Sequence, residues 1–293
     1  MQPEVVKLKE IKPALYGYVR EANLILASGQ VPADGIVHDV RVLMKKSKAS
    51  VRLVKSQIDE EIFDREYLTF RETGRIMRNW RESSVHRKIL RNLKKKFPLL
   101  FSEVESNPAV ANLMATTDLN LESKDQIKGE VEKIKELLNK SLYRLRFMNM
   151  SSLDPMKLFD DLETSYQKVA GCYITARNNT RAQYVHEFRK RAKDFLYQLY
   201  IFRPINPKVV KDLEKRLDLM TQNLGKYNDL AVLISMLGYK FNRTKPPDEF
   251  DELVLLIKEE QDKYLSRVWP EAYRIFGPGK RLAGLLGFKV LKL

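Results

Sequence analysis

The chain has 293 residues, of which 44% are apolar and 31% charged, which excludes an intrinsically disordered chain and allows one large domain or two small ones. The formal net charge of +15 does not define a fold, but it predicts attraction to anions. A single cysteine, Cys172, excludes an internal disulfide and fits a reducing cytoplasm, and the polar, charged opening from Met1 to Lys12 does not read as a signal peptide. No apolar run has the length needed to cross a bilayer, so membrane partners are not expected.

Apolar residues recur at three- and four-residue intervals along most of the chain, and the 12 Gly and 12 Pro are few enough for long helices. The spacing predicts helices over residues 9–27, 36–57, 61–80 and 83–96. The turn Pro32-Ala33-Asp34-Gly35 separates the first two, and Pro98 and Pro108 bracket an irregular or short-helical stretch. The polar segment 116–124 reads as a loop. A helix over 125–147 follows. Asp154-Pro155 then reads as an N-cap with proline in the first turn and opens a helix to about Asn178. Further helices are expected over 180–202, from Asn206-Pro207 to Gly225, between Gly225 and Gly238, and from Pro246-Pro247-Asp248 to Phe276. Gly277-Pro278-Gly279 ends the last of them, and the apolar tail from Leu282 to Phe288 reads as packed. No strand pattern is present, so the fold class is all-α, a helical bundle in two halves.

One pattern occurs twice. His38-Asp39-Val40-Arg41-Val42-Leu43-Met44-Lys45 and His186-Glu187-Phe188-Arg189-Lys190-Arg191-Ala192-Lys193 both read His, acid, apolar, Arg, three residues, Lys. The copies lie 148 residues apart, and a valine precedes each histidine. Arg78-Asn79 and Asn228-Asp229 follow the two copies at 40 and 42 residues from the histidines. Residues 1–150 carry 28 Lys+Arg against 20 Asp+Glu, and residues 151–293 carry 25 against 18, so the basic excess is shared evenly. An internal duplication, with repeats over about 10–150 and 151–280 of a single domain, accounts for all of this.

On a helix turning about 100° per residue, His38, Arg41, Lys45, Lys48, Arg52 and Lys55 fall on one stripe roughly 25 Å long. Lys46 adds to it, and apolar residues such as Val37, Val40, Leu43 and Val51 flank it. A cationic stripe set in apolar flanks must line something wet or anionic, because unpaired buried cations are costly. Only Asp39 and Asp59 are near in sequence, too few to neutralise it. In the second copy His186, Arg189 and Lys193 repeat the arc, with Lys190 and Tyr197 at its edge, while Leu196 and Tyr200 replace later cations. If the two helices meet, the stripes are expected to face each other across a basic channel wide enough for a linear polyanion. Arg would serve as a planar fork, Lys as a point charge and His as a further donor.

At these residues the sequence resembles the CHAD family of histidine-bearing α-helical domains. The resemblance rests on His38-Asp39-Val40-Arg41-Val42 with Lys45-Lys46-x-Lys48, and on His186 to Lys193. It extends to Leu224-Gly225-Lys226-Tyr227-Asn228-Asp229-Leu230-Ala231-Val232-Leu233, where Asn228 stands in place of a common His. It implies two four-helix bundles related by a pseudo-two-fold axis, with a basic central channel that binds inorganic polyphosphate. The stripes and the resemblance together mark His38, Arg41, Lys45, Lys46, Lys48, Arg52, Arg78, His186, Arg189, Lys190, Lys193, Tyr197, Lys226 and Asn228 as the expected polyphosphate-binding residues. Asp229 reads as a helix cap or an orienting partner. The Glu-x-Glu-x-Lys motif of a fused triphosphate-tunnel domain is absent.

No metal-ligand spacing, nucleophile cluster or Gly-rich phosphate loop appears, so no cofactor and no catalysis are expected. A nucleic-acid-binding or acidic-protein-binding helical scaffold remains the alternative, although no helix-turn-helix, zinc or RNA-binding signature is present. A cytoplasmic protein, associated with polyphosphate granules, is the expected setting.

Overall fold

The computed structural model describes residues 7–27, 32–115, 124–238 and 249–287, with the side chains of residues 79, 81–87, 115, 124 and 249 outside that description. The predicted loop at 116–124 therefore lies almost wholly outside the described residues, as do Pro246-Pro247-Asp248, Phe288 and the Asn79 side chain. In chain order the helices are α1 (Ile11–Ile25), α2 (Asp34–Leu53), α3 (Glu60–Ile76), α4 (Asn79–Lys96), α5 (Pro98–Val104) and α6 (Pro108–Ala115). Then come α7 (Lys124–Phe147), α8 (Pro155–Asn178), α9 (Ala182–Phe202), α10 (Pro207–Met236), α11 (Glu249–Phe276) and the short α12 (Leu282–Leu285). No strand is found among the described residues, and the fold class is all-α.

Local chemistry sets several of these boundaries. The Asp59 carboxylate accepts from the backbone N–H of Glu61 and Ile62 and opens α3. Asp154 accepts from the N–H of Met156 at 2.8 Å, with Pro155 in the first turn of α8. Asn206 does the same for Val209, ahead of Pro207 in α10. Gly238 and Gly279 adopt left-handed backbone (φ 65° and 76°) just beyond α10 and α11, where only glycine turns without strain.

Two expectations are corrected here. Gly225 does not separate two helices. It is buried inside α10, which runs unbroken for 30 residues because a single glycine costs a packed helix only about 1 kcal/mol. The α2 helix stops at Leu53 instead of running to Gln57. Lys55–Gln57 form one turn of 3₁₀ helix, so Lys55 leaves the helical stripe.

The helices assemble as two four-helix bundles. In the first, α1 packs on α2 and α7, and α3 packs on α2 and α7. In the second, α9 packs on α8 and α10, and α11 packs on α10 and α8. The order first–second–third–fourth helix is the same in both, with α2 and α9 as second helices. Leu15, Val40, Met44, Phe70 and Leu138 anchor the first core. Tyr166, Phe188, Phe195, Leu217 and Phe276 anchor the second. The α4–α6 segment has no counterpart among the described residues of the second half. Its Leu90, Phe101 and Val110 pack with Leu233, Leu253 and Ile257 against the second bundle.

The bundles meet where α2 packs on α9. Ser47, Ala49 and Ser50 of α2 are buried small residues, and both serine hydroxyls bond back to their own helix, at Leu43 O and Lys46 O. Gln198 of α9 donates to the Ala49 carbonyl at 3.2 Å, a direct bond between the helices. Leu53 and Val54, at the end of α2, belong to the second bundle's core, so the two bundles share apolar contacts.

Candidate anion-binding site on the two central helices

The repeated motif places its arginines in parallel ways. Arg41 reaches from α2 to α3 and donates Nη1–H to the Gly74 carbonyl at 3.2 Å. Arg189 reaches from α9 to α10, where its guanidinium lies so near Gly225 that a Cβ there would sit 3.1 Å from a guanidinium nitrogen. Each repeat therefore lays the arginine three residues after its histidine across a glycine of the third helix in the same bundle. The sequence holds both glycines, but their spacing from the histidines differs by three residues, and this hid the match.

Around Arg41 the cations converge. Lys48 is half-buried, and its ammonium is pushed below the ordinary lysine range by burial and by Arg52, with Arg41 and Lys190 adding to the effect and Asp194 opposing it. His186 is likewise pushed below the ordinary histidine value, by burial first, then by Arg189 and Lys190, and also by Arg78. Arg78 is contributed by the junction of α3 and α4, so the first bundle supplies charge at the head of the second bundle's stripe. His38 is exposed and Lys45 half-buried on the first stripe.

The acids that balance this charge come from across the fold, which corrects the expectation that too few are near. Arg52 donates Nη1–H to Asp194 of α9 at 2.5 Å and Nη2–H to the Tyr67 hydroxyl at 2.6 Å. Lys193 donates to Asp218 of α10 at 2.7 Å, and Lys190 donates to Glu187 at 3.1 Å on its own helix. Asp218 and Asp194 are distant in sequence from the cations of the first stripe, and only packing brings Asp194 to Arg52. Burial pushes the Asp194 carboxyl above the usual carboxylate range despite Arg52 and Lys48 beside it.

The two stripes open on different clefts. A cleft of about 600 Å³ is lined by Arg52 from the end of the first stripe and Lys55 from the 3₁₀ turn after it, with Lys190, Arg191 and Asp194 from the side of α9. A second cleft, of about 660 Å³, is lined by Tyr197 and Tyr200 from the second stripe, with Lys46 from the side of α2 and Arg203 beyond. Positions 148 residues apart, namely Lys46 and Asp194, Arg52 and Tyr200, Lys55 and Arg203, occupy matching walls of the two clefts. The expectation of stripes facing each other across one channel is thus corrected at the level of the crossing. There α2 and α9 touch directly, through the Gln198–Ala49 hydrogen bond.

Of the predicted ligand residues only Lys46, Arg52, Lys190 and Tyr197 line these two clefts, and three of the residues singled out in the sequence lie elsewhere on α10. Lys226 is exposed on α10, over the Tyr264 ring at 5.5 Å, and lines a separate cleft of about 450 Å³ with Lys88 and Lys96. Asn228 is buried, and its Nδ2 has no hydrogen-bond partner among the described residues. Asp229 lies inside α10 and so is not a helix cap. Lys46 and Lys193 sit over aromatic rings, those of Tyr18 and Tyr197, at 5.4 Å each. Tyr197 itself is held protonated, its phenol raised by burial.

The arrangement offers guanidinium forks, ammonium groups and hydroxyls along two adjoining helices. Among the described residues no three His, Cys, Asp or Glu side chains are grouped to hold a metal ion. No described helix is long and apolar enough to cross a membrane.

Twin four-helix bundles joined through two cation-bearing helices define a class of all-α, anion-attracting domain. The CHAD domain family model matches residues 31–238, most of the chain, and the protein belongs to the CHAD domain family. The match begins after α1 and ends before α11, yet both helices complete their bundles. No curated protein matches the chain.

Proposed function

We propose that the protein binds inorganic polyphosphate, without catalysing a reaction, along the basic clefts that α2 and α9 build. The observation that carries this reading is the convergence of Arg41, Lys48, Arg52 and Lys190 within electrostatic reach of one another. Burial first, then Arg52, Arg41 and Lys190, lowers the Lys48 ammonium even with Asp194 nearby. A site that crowds cations around a partly buried lysine gains most from a ligand that brings many negative charges close together. Polyphosphate carries such charge along a flexible chain, and each phosphate accepts charge-assisted hydrogen bonds from Arg or Lys. Membership of the CHAD family is consistent with a polyphosphate-related role. Binding would recruit the protein to polyphosphate stores in the cytoplasm or help to organise them.

The test is a competition titration at moderate salt with long-chain polyphosphate, short phosphates, duplex DNA and single-stranded RNA. Affinity is expected to rise with polyphosphate chain length and to fall steeply with salt, as counterions are released from the chain. Equal or tighter binding of duplex DNA would replace this reading with a nucleic-acid one. Charge reversal at Arg41 and Arg189 to Glu is expected to abolish binding while helicity by circular dichroism stays unchanged. Unchanged affinity in that double variant would remove α2 and α9 from the site.

A further inference from the structure

Asp194 stands in the most cationic of the clefts. Arg52 holds it at 2.5 Å, and both side chains are four-fifths buried (21% and 17% exposed). Lys48 acts on it from α2, and Lys190 and Arg191 from its own helix. Lys168 of α8 and Lys55 complete the cationic wall, with Asp161 of α8 as the other acid in the cleft. Asp161 is already engaged, accepting from the Ser56 hydroxyl at 2.5 Å. The position matching Asp194 in the other repeat is Lys46, a cation, so the duplication has opposite charges at equivalent places. In the second cleft Arg203 is bound by Glu214, through two bonds at 2.8 and 2.9 Å, but no acid stands at the Lys46 position.

We propose that Asp194 is an internal counter-anion that occupies the seat of one phosphate on Arg52 and must be displaced by the incoming chain, so that it limits affinity for polyphosphate. This rests on the polyphosphate reading above. In the ligand-free protein, Asp194 lets Arg52 and Lys48 lie largely out of solvent side by side, where unscreened cations would repel. A phosphate oxygen can accept the same Nη1–H that Asp194 Oδ2 now takes, with more charge behind it. It therefore competes for Arg52 directly. A lone phosphate gains only this exchange, whereas a chain adds contacts with neighbouring cations that offset the loss of the Arg52–Asp194 pair. The carboxyl is also primed to let go, since burial already disfavours its charged form.

The test compares long-chain polyphosphate binding by the wild type, Asp194→Asn, Arg52→Gln and the double variant across a salt series. Asp194→Asn is expected to bind roughly tenfold more tightly, the size of a hydrogen bond to a charged group. Its dependence of affinity on salt should steepen by about one ion, because no displaced carboxylate takes up a cation to offset one released from the chain. If Asp194→Asn alone does not fold, Asp194→Ser takes its place. In the Arg52→Gln background the gain from removing the carboxylate should largely vanish, because no guanidinium remains for it to occupy, and an undiminished gain there overturns the proposal. Equal or weaker binding with an unchanged salt slope, in a wild type that does bind polyphosphate, overturns the role of Asp194. A wild type that binds no polyphosphate at any salt instead sinks the parent reading, and this inference with it.

Discussion

The two bundles repeat one helix order and differ in what cements it. In the first, the third and fourth helices are joined by Glu66, whose side chain is 0% exposed and accepts from Arg144 and from the Ser141 hydroxyl. In the second, the matching pair α10 and α11 is joined by Arg216 and Glu271 at 2.9 Å, with the charge order reversed and both side chains partly in water (33% and 25% exposed). The second bundle compensates with aromatic packing. Tyr166, Phe195 and Phe276 pack tilted or edge-to-face with ring centroids 5.6–6.3 Å apart, and Phe188 stacks on Trp269 at 6.4 Å. Both bundles carry a cation-bearing second helix with an arginine beside a glycine of the third helix, while the core chemistry behind it differs.

Breaking the buried pair is the severest way to test that contrast. Glu66→Ala leaves Arg144 without its carboxylate inside the first bundle and should cost about 3 kcal/mol, near the lower end of the range for removing one partner of a buried pair. Glu271→Ala removes a half-solvated partner and should cost about 1 kcal/mol or less. Urea unfolding followed by circular dichroism measures both. Equal losses would mean that the two bundles are cemented alike and that the exposure difference carries no energy.

The glycine contacts give a finer test. A Cβ on Gly74 would meet nothing within 4 Å, so Gly74→Ala should stabilise the protein by roughly 0.5–1 kcal/mol through helix propensity alone. A Cβ on Gly225 would press on the Arg189 guanidinium at 3.1 Å. Gly225→Ala should therefore forfeit most of that gain and weaken polyphosphate binding several-fold by moving Arg189, whereas Gly74→Ala should leave binding nearly as it was. Thermal melts and a polyphosphate titration on the two variants check this. Identical behaviour would show that Arg189 adjusts freely and that Gly225 is not there to seat it.

The legibility of this molecule in its sequence follows from where each signal comes from. Helix periodicity, the caps at Asp154 and Asn206 and the doubled His-x-x-Arg pattern are local, and they led to an all-α fold in two halves. The acids that meet the stripes were not legible, because Asp194 reaches Arg52 across 142 residues of chain and only the packing of α2 on α9 brings them together. The same packing turned one expected channel into two clefts, since a stripe shows which face is charged but not which neighbour it faces. Gly225 misled for a related reason. Read along the chain it marks a helix end, yet in three dimensions it makes room for Arg189.

The smallest expected difference concerns pH and the two histidines that head the stripes. His186 is held below the ordinary histidine value by burial and by Arg189, Lys190 and Arg78, with only Glu187 opposing. In the free protein it is therefore mostly neutral at pH 7 and protonates below the range of an unfolded histidine. A polyanion beside it favours the charged form, so the bound-state pKa is higher than the free-state one. The sign follows directly: binding takes up a proton, affinity is greatest below the free-state pKa, and it falls as pH rises through the bound-state value. Lys48, also lowered in the free protein, gives a second loss of the same sign at alkaline pH. Polyphosphate affinity should thus fall severalfold as the pH is raised across the histidine range, and His186→Gln should flatten that step while leaving the alkaline one. Persistence of the acid-side step in His186→Gln would assign it to another group, with His38 at the head of the other stripe the next to substitute.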